Sequence, residues 1–244
     1  MKSTVSMNTN KNSYTIIYAA VMVVIVAFLL AFVSSALKPT QEQNEALDKK
    51  KQILASLNIR DISDPQEVEA KYNEVISADM IINAQGTEVA KGEKKDQDAF
   101  RMKNSEISED KMPIYVCNVD GETKYVIPMT GRGLWGGLWG YVAINADLQT
   151  VYGAYISHES ETAGLGALIA EQKFQDQFKG KHLFEGNDSN TVALTVVKNG
   201  KVEPGHENVQ VDGITGATLT SNGVADMINS GLQKYVGYFN SIKK

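Results

Sequence analysis

Ile114-Tyr115-Val116-Cys117-Asn118-Val119, then Asp120-Gly121, then Lys124-Tyr125-Val126-Ile127: the fold turns on how this stretch is read. β-branched and aromatic residues on both sides of Asp-Gly signal a hairpin, because both turn positions tolerate a positive φ. Toward the C-terminus, residues 138–144 and 151–156 flank Asn145-Ala146-Asp147, a second turn. Residues 191–197 and Lys201-Val202 flank Asn199-Gly200 and predict a third. Helical patches intervene at 168–178 and 221–242. In the latter, Val224, Ile228, Leu232, Tyr235, Val236 and Phe239 follow i, i+4 spacing, so a long closing helix lays one face on the sheet. The expected class is α+β, a mostly antiparallel sheet with packed helices.

N-terminal to the sheet the chain changes character. No charged residue occurs from Tyr14 to Leu37. Roughly 20 such residues span a hydrocarbon core of about 30 Å. A cleaved signal peptide, with Ser34-Ser35-Ala36 as its small-residue site, calls for an apolar run of about 7–15 residues, and this one is longer. A retained anchor is therefore expected. Lys2 and Lys11 precede it, and Lys38, Lys49, Lys50 and Lys51 follow. That count favours the C-terminal side inside, but long domains translocate largely regardless of charge, so the residues leave sidedness open. Residues 41–57 carry Leu47, Ile53, Leu54 and Leu57 near helical spacing and read as a juxtamembrane helix. Ser63-Asp64-Pro65 opens a short helix, with Pro65 at its first position and Glu67, Glu69 and Glu74 along it. The expected organisation is a tail at 1–13, a span at 14–37, a helical stalk at 38–60 and one domain at 61–244. About 200 residues after the span suffice for one packed core.

Composition narrows the function. Lys+Arg is 24 and Asp+Glu is 29, a net charge of −5. Without a dense basic stripe, nucleic acid is not the expected partner. The single cysteine, Cys117, excludes an internal disulfide framework and a Cys-rich metal site. No internal repeat or low-complexity segment occurs.

Three segments stand out for chemistry. Gly131-Arg132-Gly133-Leu134-Trp135-Gly136-Gly137 formally matches GxGxxG, but a strand-like run follows where a dinucleotide site needs a helix. It reads as a flexible turn between strands, or as a Gly-rich loop presenting Trp135 to a flat ligand. His158-Glu159-Ser160-Glu161-Thr162-Ala163-Gly164-Leu165-Gly166 follows a strand and offers carboxylate, hydroxyl and amide groups suited to a polar heterocycle. His182 and His206 lie at no ligand spacing from it, so no metal is expected. A simple capped turn is its alternative reading. Asp212-Gly213-Ile214-Thr215-Gly216-Ala217-Thr218-Leu219-Thr220-Ser221 enters the last helix. Its small residues and helix N-terminus suit an anion, and Thr220 or Ser221 reads as the N-cap. The Lys of a P-loop is missing, and no Ser-His-Asp elbow is present, so no catalytic residue is assigned.

This last segment resembles the flavinylation motif of the FMN-binding domain family, in which a threonine or serine takes FMN through a phosphoester. Together with the single span, the Lys-rich segment before Ile53-Leu54, Gly131-Arg132-Gly133-Leu134-Trp135 and Glu161-Thr162-Ala163-Gly164-Leu165-Gly166, the chain resembles the C subunits of Na⁺-translocating NADH:quinone oxidoreductases. The resemblance runs over nearly the whole chain. It implies that Thr218 is the attachment residue, that Thr215, Gly216 and Ala217 shape the phosphate turn, and that Asp212 is the motif's acidic member. It places Glu161, Thr162 and Leu165 in the loop that meets the flavin ring, with Trp135 beside it. The family usually has Pro where this chain has Ala163; the change removes rigidity but no recognising group. The resemblance further implies a flavin transferase for maturation, partner subunits that bind NADH and quinone and pass sodium, and a place in the bacterial inner membrane. The N-terminus would be cytoplasmic and the domain periplasmic. The G subunit of an Rnf-type complex, a structural membrane protein without flavin, and an anchored anion-binding protein are the rival expectations.

Overall fold

The computed structural model describes residues 12–86, 88–91, 98–103 and 106–243; most of the expected tail at 1–13 lies outside them. The chain divides into two units, Met1–Asp48 and Lys49–Lys244.

One helix, α1 (Asn12–Ser56), begins in the first unit and ends in the second. Among the described residues it is the one helix long and apolar enough to cross a membrane. Its apolar side chains are bare, Phe28 at 70% exposure and Ile16 at 68%. The juxtamembrane helix expected at 41–57 is helical to Ser56, as the end of this same helix. No glycine interrupts the run, and Pro39 removes only one backbone bond near the end of the uncharged stretch.

The second unit is built on α2 (Pro65–Val75), β1 (Ile76–Ile82), β2 (Glu88–Lys91), α3 (Asp98–Arg101), β3 (Met112–Val119), β4 (Glu122–Arg132), β5 (Gly137–Asn145) and β6 (Val151–His158). These strands form a six-stranded antiparallel sheet in the order β2-β1-β3-β4-β5-β6. Asp120 (φ 53°) and Gly121 (φ 83°) both sit in the left-handed region, which is what a two-residue hairpin between right-twisted strands requires. After β6 come a 3₁₀ turn (Gly166–Ala170) and α4 (Gln172–Gln175), then β7 (Thr195–Val197), β8 (Gln210–Asp212), α5 (Thr218–Gln233) and α6 (Val236–Ile242). The class is α+β, as expected.

Both faces of the sheet are covered. Along β3 to β5, Met112, Ile114, Ile127, Met129, Leu138 and Val142 join the main core with Val224, Met227, Ile228 and Leu232 of α5. The alternate positions Tyr115 and Val126 turn the other way and are wholly buried, as are Ile53 and Leu54 of α1 and Tyr72 of α2. On that side Tyr115 donates to the Ala99 carbonyl at 3.2 Å, and Trp139 Nε1 donates to Gln52 Oε1 at 3.1 Å. The segment read as stalk thus carries Ile53, Leu54 and Leu57 into the core, each worth roughly 1.5–3 kcal/mol of burial. Lys50, also buried, bonds both Glu69 oxygens, at 2.9 and 2.7 Å.

Two expectations are corrected in part. The turn expected at Asn199-Gly200 forms, closed by the Lys201 amide on the Lys198 carbonyl at 2.9 Å, but no strand follows it at Lys201-Val202. β7 pairs in parallel with β8 instead, Thr195 opposite Gln210 and Val197 opposite Asp212. The Gly200 amide is taken by Asp212 Oδ1 at 2.7 Å, which ties the turn to the end of β8. The closing helix starts three residues earlier than read and is broken in two. Its break falls at Tyr235, whose amide bonds the Leu232 carbonyl and whose hydroxyl reaches the Pro113 carbonyl at 2.7 Å.

Candidate functional site

Three loops converge at one end of the main core. The first, between β4 and β5, is a tight turn closed by Gly133 N–H to the Gly136 carbonyl at 2.9 Å. The second follows β6. Ser160 Oγ donates to the Trp135 carbonyl at 3.1 Å, and Gly137 and Glu159 exchange bonds, amide to carboxylate and amide to carbonyl. The glycines are there for this approach. A Cβ on Gly133 would stand 2.4 Å from Glu161 Oε1, and one on Gly136 2.6 Å from Ser160 Oγ.

Glu161 sits at the junction, 7% exposed. Its Oε1 accepts the Trp135 amide at 2.8 Å and its Oε2 the Thr220 hydroxyl at 2.5 Å. Its own amide donates to His158 Nδ1 at 3.1 Å. Burial pushes this carboxyl up, but the bonds from Thr220, Trp135 and Gly136 outweigh it and hold the group below the usual glutamate range.

The third loop leads from β8 into α5. Gly213 N–H bonds the Val197 carbonyl at 2.7 Å, and Ala217 N–H closes a turn on the Ile214 carbonyl at 3.1 Å, with Gly216 at φ 78°. The expected cap is corrected here. Ala217 is the N-cap and makes no side-chain cap bond. Thr220 and Ser221 lie inside the first turn, buried. Thr220 is engaged by Glu161, and Ser221 Oγ accepts the Ile214 amide at 3.0 Å. The first backbone bond of α5 is Ser221 N–H to Ala217, so the amides of Thr218, Leu219 and Thr220 precede it and face the entering chain. Of the four crowded hydroxyls, those of Thr215 and Thr218 belong to exposed residues.

The structure joins Trp135 to Glu161, sets Leu165 against the Gly216 turn, and makes Thr215, Gly216, Ala217 and Thr218 contiguous with it. Thr162 acts through its carbonyl, which accepts the amides of Leu165 and Ala167; its side chain is exposed. Asp212 stands apart in role, its carboxylate tied to Gly200. Sequence reasoning missed Leu134 and Leu219, whose signal was an apolar side chain on an otherwise polar loop. With Trp135 and Leu165 they are the exposed large hydrophobic residues of the second unit among the described residues, at 47%, 59%, 66% and 41%. An open apolar rim therefore borders a helix N-terminus with free amides and an exposed hydroxyl. That combination suits a ligand with a flat ring at one end and a phosphate at the other. Beside it a cavity of about 300 Å³ is lined by Phe174, Asn199 and Thr215 among others. Among the described residues no cluster of three metal-ligating side chains occurs.

Such a fold and site define a flavin-binding module, and residues 133–233 match the family described as "FMN-binding domain". The chain is 34% identical over 231 residues to the C subunit of the Na⁺-translocating NADH-quinone reductase of Haemophilus ducreyi, spanning 89% of this chain and 88% of that one. Against the corresponding C subunit of Pseudomonas aeruginosa it is 30% identical over 250 residues, spanning 93% and 94%. The crystal structure of the C subunit from Parabacteroides distasonis superimposes with a TM-score of 0.71 at 40% identity, over 83% of this chain and 96% of that one. The chain belongs to the family of Na⁺-translocating NADH-quinone reductase C subunits.

Proposed function

We propose that this protein is a membrane-anchored electron-carrying subunit of a sodium-translocating NADH:quinone reductase, with FMN held by a phosphoester on Thr218. The observation that carries the reading is the position of Thr218. It is the first residue of α5, exposed, at the free amides of the first turn and beside the apolar rim of Leu134, Trp135, Leu165 and Leu219. The phosphate would lie at the amides of Thr218 to Thr220, with Gly216 giving the turn its positive φ. The ring would rest against the rim. Bound there, FMN supplies reversible electron transfer.

The chain's own residues hold and orient. Glu161 and Ser160 fasten the Trp135 loop, and Asp212 fixes the Asn199-Gly200 loop that also bonds Gly213 through Asn199 Nδ2 at 3.0 Å. Among the described residues no side-chain base is hydrogen-bonded to Thr218 Oγ, so the hydroxyl does not load itself. A separate flavin transferase with a divalent metal would transfer the FMN-phosphoryl group from FAD to Thr218 Oγ, with AMP leaving. Residues 14–37 anchor the chain in the bacterial inner membrane, N-terminus cytoplasmic and domain periplasmic. Sodium export falls to partner subunits, since α1 carries no acid within the uncharged stretch, and NADH oxidation and quinone reduction are assigned to partner subunits with it.

The test is the intact mass of the denatured full chain, produced with an active flavin transferase. Wild type should gain one FMN minus one water, Thr218→Ser should gain the same, and Thr218→Ala should gain nothing. A wild-type chain of unmodified mass, beside a control substrate that loads, overturns the reading.

A further inference from the structure

We propose that Glu161 is a positioning residue: a clamp that locks the Trp135 loop to the first turn of α5, and not a ligand of the cofactor. The inference rests on the flavin reading for its consequence but on internal geometry for its content. Both carboxylate oxygens are engaged within the protein, Oε1 by the Trp135 amide at 2.8 Å and Oε2 by the Thr220 hydroxyl at 2.5 Å. The residue is buried, and the surrounding chain is shaped to admit it. A Cβ on Gly166 would meet Thr220 Oγ1 at 2.6 Å and Glu161 Oε2 at 2.7 Å, and one on Gly133 would meet Oε1 at 2.4 Å. Two glycines from two loops thus make room for one side chain.

The clamp also sorts the hydroxyls. Thr218 and Thr220 lie two positions apart on the same turn. Glu161 consumes the Thr220 hydroxyl and draws it inward, while Thr218 stays exposed. Thr220 therefore belongs to the clamp, and the loop carrying the exposed indole is held in register with the attachment residue. Charge-assisted bonds in a buried site are the strong ones, so the clamp is rigid while both of its bonds are made.

Two measurements test this separately from the flavin reading. The first uses the Thr218→Ala chain, which never loads, and follows hydrogen exchange of the 133–137 amides. Glu161→Ala and Thr220→Val should each accelerate exchange there about tenfold or more, the size expected for losing a bond to a charged group. Thr220→Ser, which keeps the hydroxyl, should restore protection. Glu161→Gln can still accept from Trp135 and donate to Thr220, so it should stay close to wild type. The second measurement places the same changes in the Thr218 chain with a flavin transferase at limiting time, and reads the fraction shifted in mass and the flavin circular dichroism. Glu161→Ala and Thr220→Val should slow loading by about the same factor, and their combination should be no slower than either alone. The proposal is overturned if Thr220→Val leaves exchange, loading rate and dichroism unchanged while Glu161→Ala alters them, because the bond to Thr220 would then lock nothing. It is overturned equally if Glu161→Ala alters loading and dichroism but not exchange, because Glu161 would then act on the cofactor directly. Loss of the mass shift in the unmutated chain would sink the flavin reading and leave the exchange result standing.

Discussion

Gly223→Ala measures how tightly α5 is pressed on the sheet. On an open helix, Ala is better than Gly by about 0.8–1 kcal/mol. At 223 the added Cβ would lie 2.4 Å from the Arg132 carbonyl oxygen and 3.2 Å from Gly133 Cα, both backbone atoms that cannot rotate aside. Carbon prefers a neighbour at about 3.5 Å, so the helix must withdraw by about 1 Å. Val224, Met227 and Ile228 of the same helix are buried in the core and lose contact together. Overpacking costs about 1–3 kcal/mol, and a clash with fixed backbone belongs in the upper half of that range, so it exceeds the propensity gain and leaves a net loss of about 1–2 kcal/mol. Gly231→Ala is the internal control. There the Cβ meets Met129 Cγ at 3.0 Å and Sδ at 3.3 Å, a flexible thioether that can swing away, so the change should be neutral to about 1 kcal/mol stabilising. Thermal unfolding of the full chain in detergent, followed by the emission of its two tryptophans, compares the two variants. They should separate by about 4–8 °C for a unit of this size, Gly223→Ala the lower. Equal melting of the two variants would show that α5 is not seated on the β4 backbone as described.

Further outcomes follow from charge and cofactor. Because the folded carboxyl of Glu161 is held below its ordinary 4.5, its stabilisation is complete above that pH and is lost as pH falls through the folded value. The stability gap between wild type and Glu161→Ala should therefore be constant from pH 5 to pH 7, as the ordinary range of about 4.3 implies, and shrink in more acid solution; a gap that widens in acid would reverse the assignment. Burial lowers Lys49 from 10.5 to about 8, while its ammonium bonds the Phe100 carbonyl. The unfolded chain then holds the proton more firmly, so stability should rise between pH 8 and pH 10.5, and Lys49→Met should abolish that rise in urea titrations at each pH. Tyr235→Phe leaves the buried Pro113 carbonyl without its partner and should cost about 1–2 kcal/mol in the same titrations, with flavin loading unchanged.

Several parts of the molecule were legible in the residues alone. The Asp120-Gly121 hairpin needed only two positions that accept positive φ, and both adopt it. Asp64 before Pro65 marked a helix start, and its carboxylate does accept the amides of Gln66 and Glu67 at 2.9 and 3.1 Å. β1 was not legible, because Asp79 interrupts the apolar pattern of Ile76 to Ile82. In the fold that carboxylate is wholly buried and accepts the amides of Ala99 and Phe100.

The candidate site divides the same way. Sequence alone determined the uncharged span, the meander of strands, and the run of small and hydroxylic residues at a helix start, because each depends on neighbours along the chain. Which hydroxyl stays free was decided only in three dimensions. Thr218 and Thr220 are chemically alike, and nothing in their spacing separates them. Glu161, 59 residues away, distinguishes them by bonding Thr220. The parallel pairing of β7 with β8 and the break at Tyr235 have the same origin. Each rests on partners far along the chain, Thr195 opposite Gln210 in the ladder and the Tyr235 hydroxyl on the buried Pro113 carbonyl, and an unpaired buried donor or acceptor costs too much for a local preference to prevail.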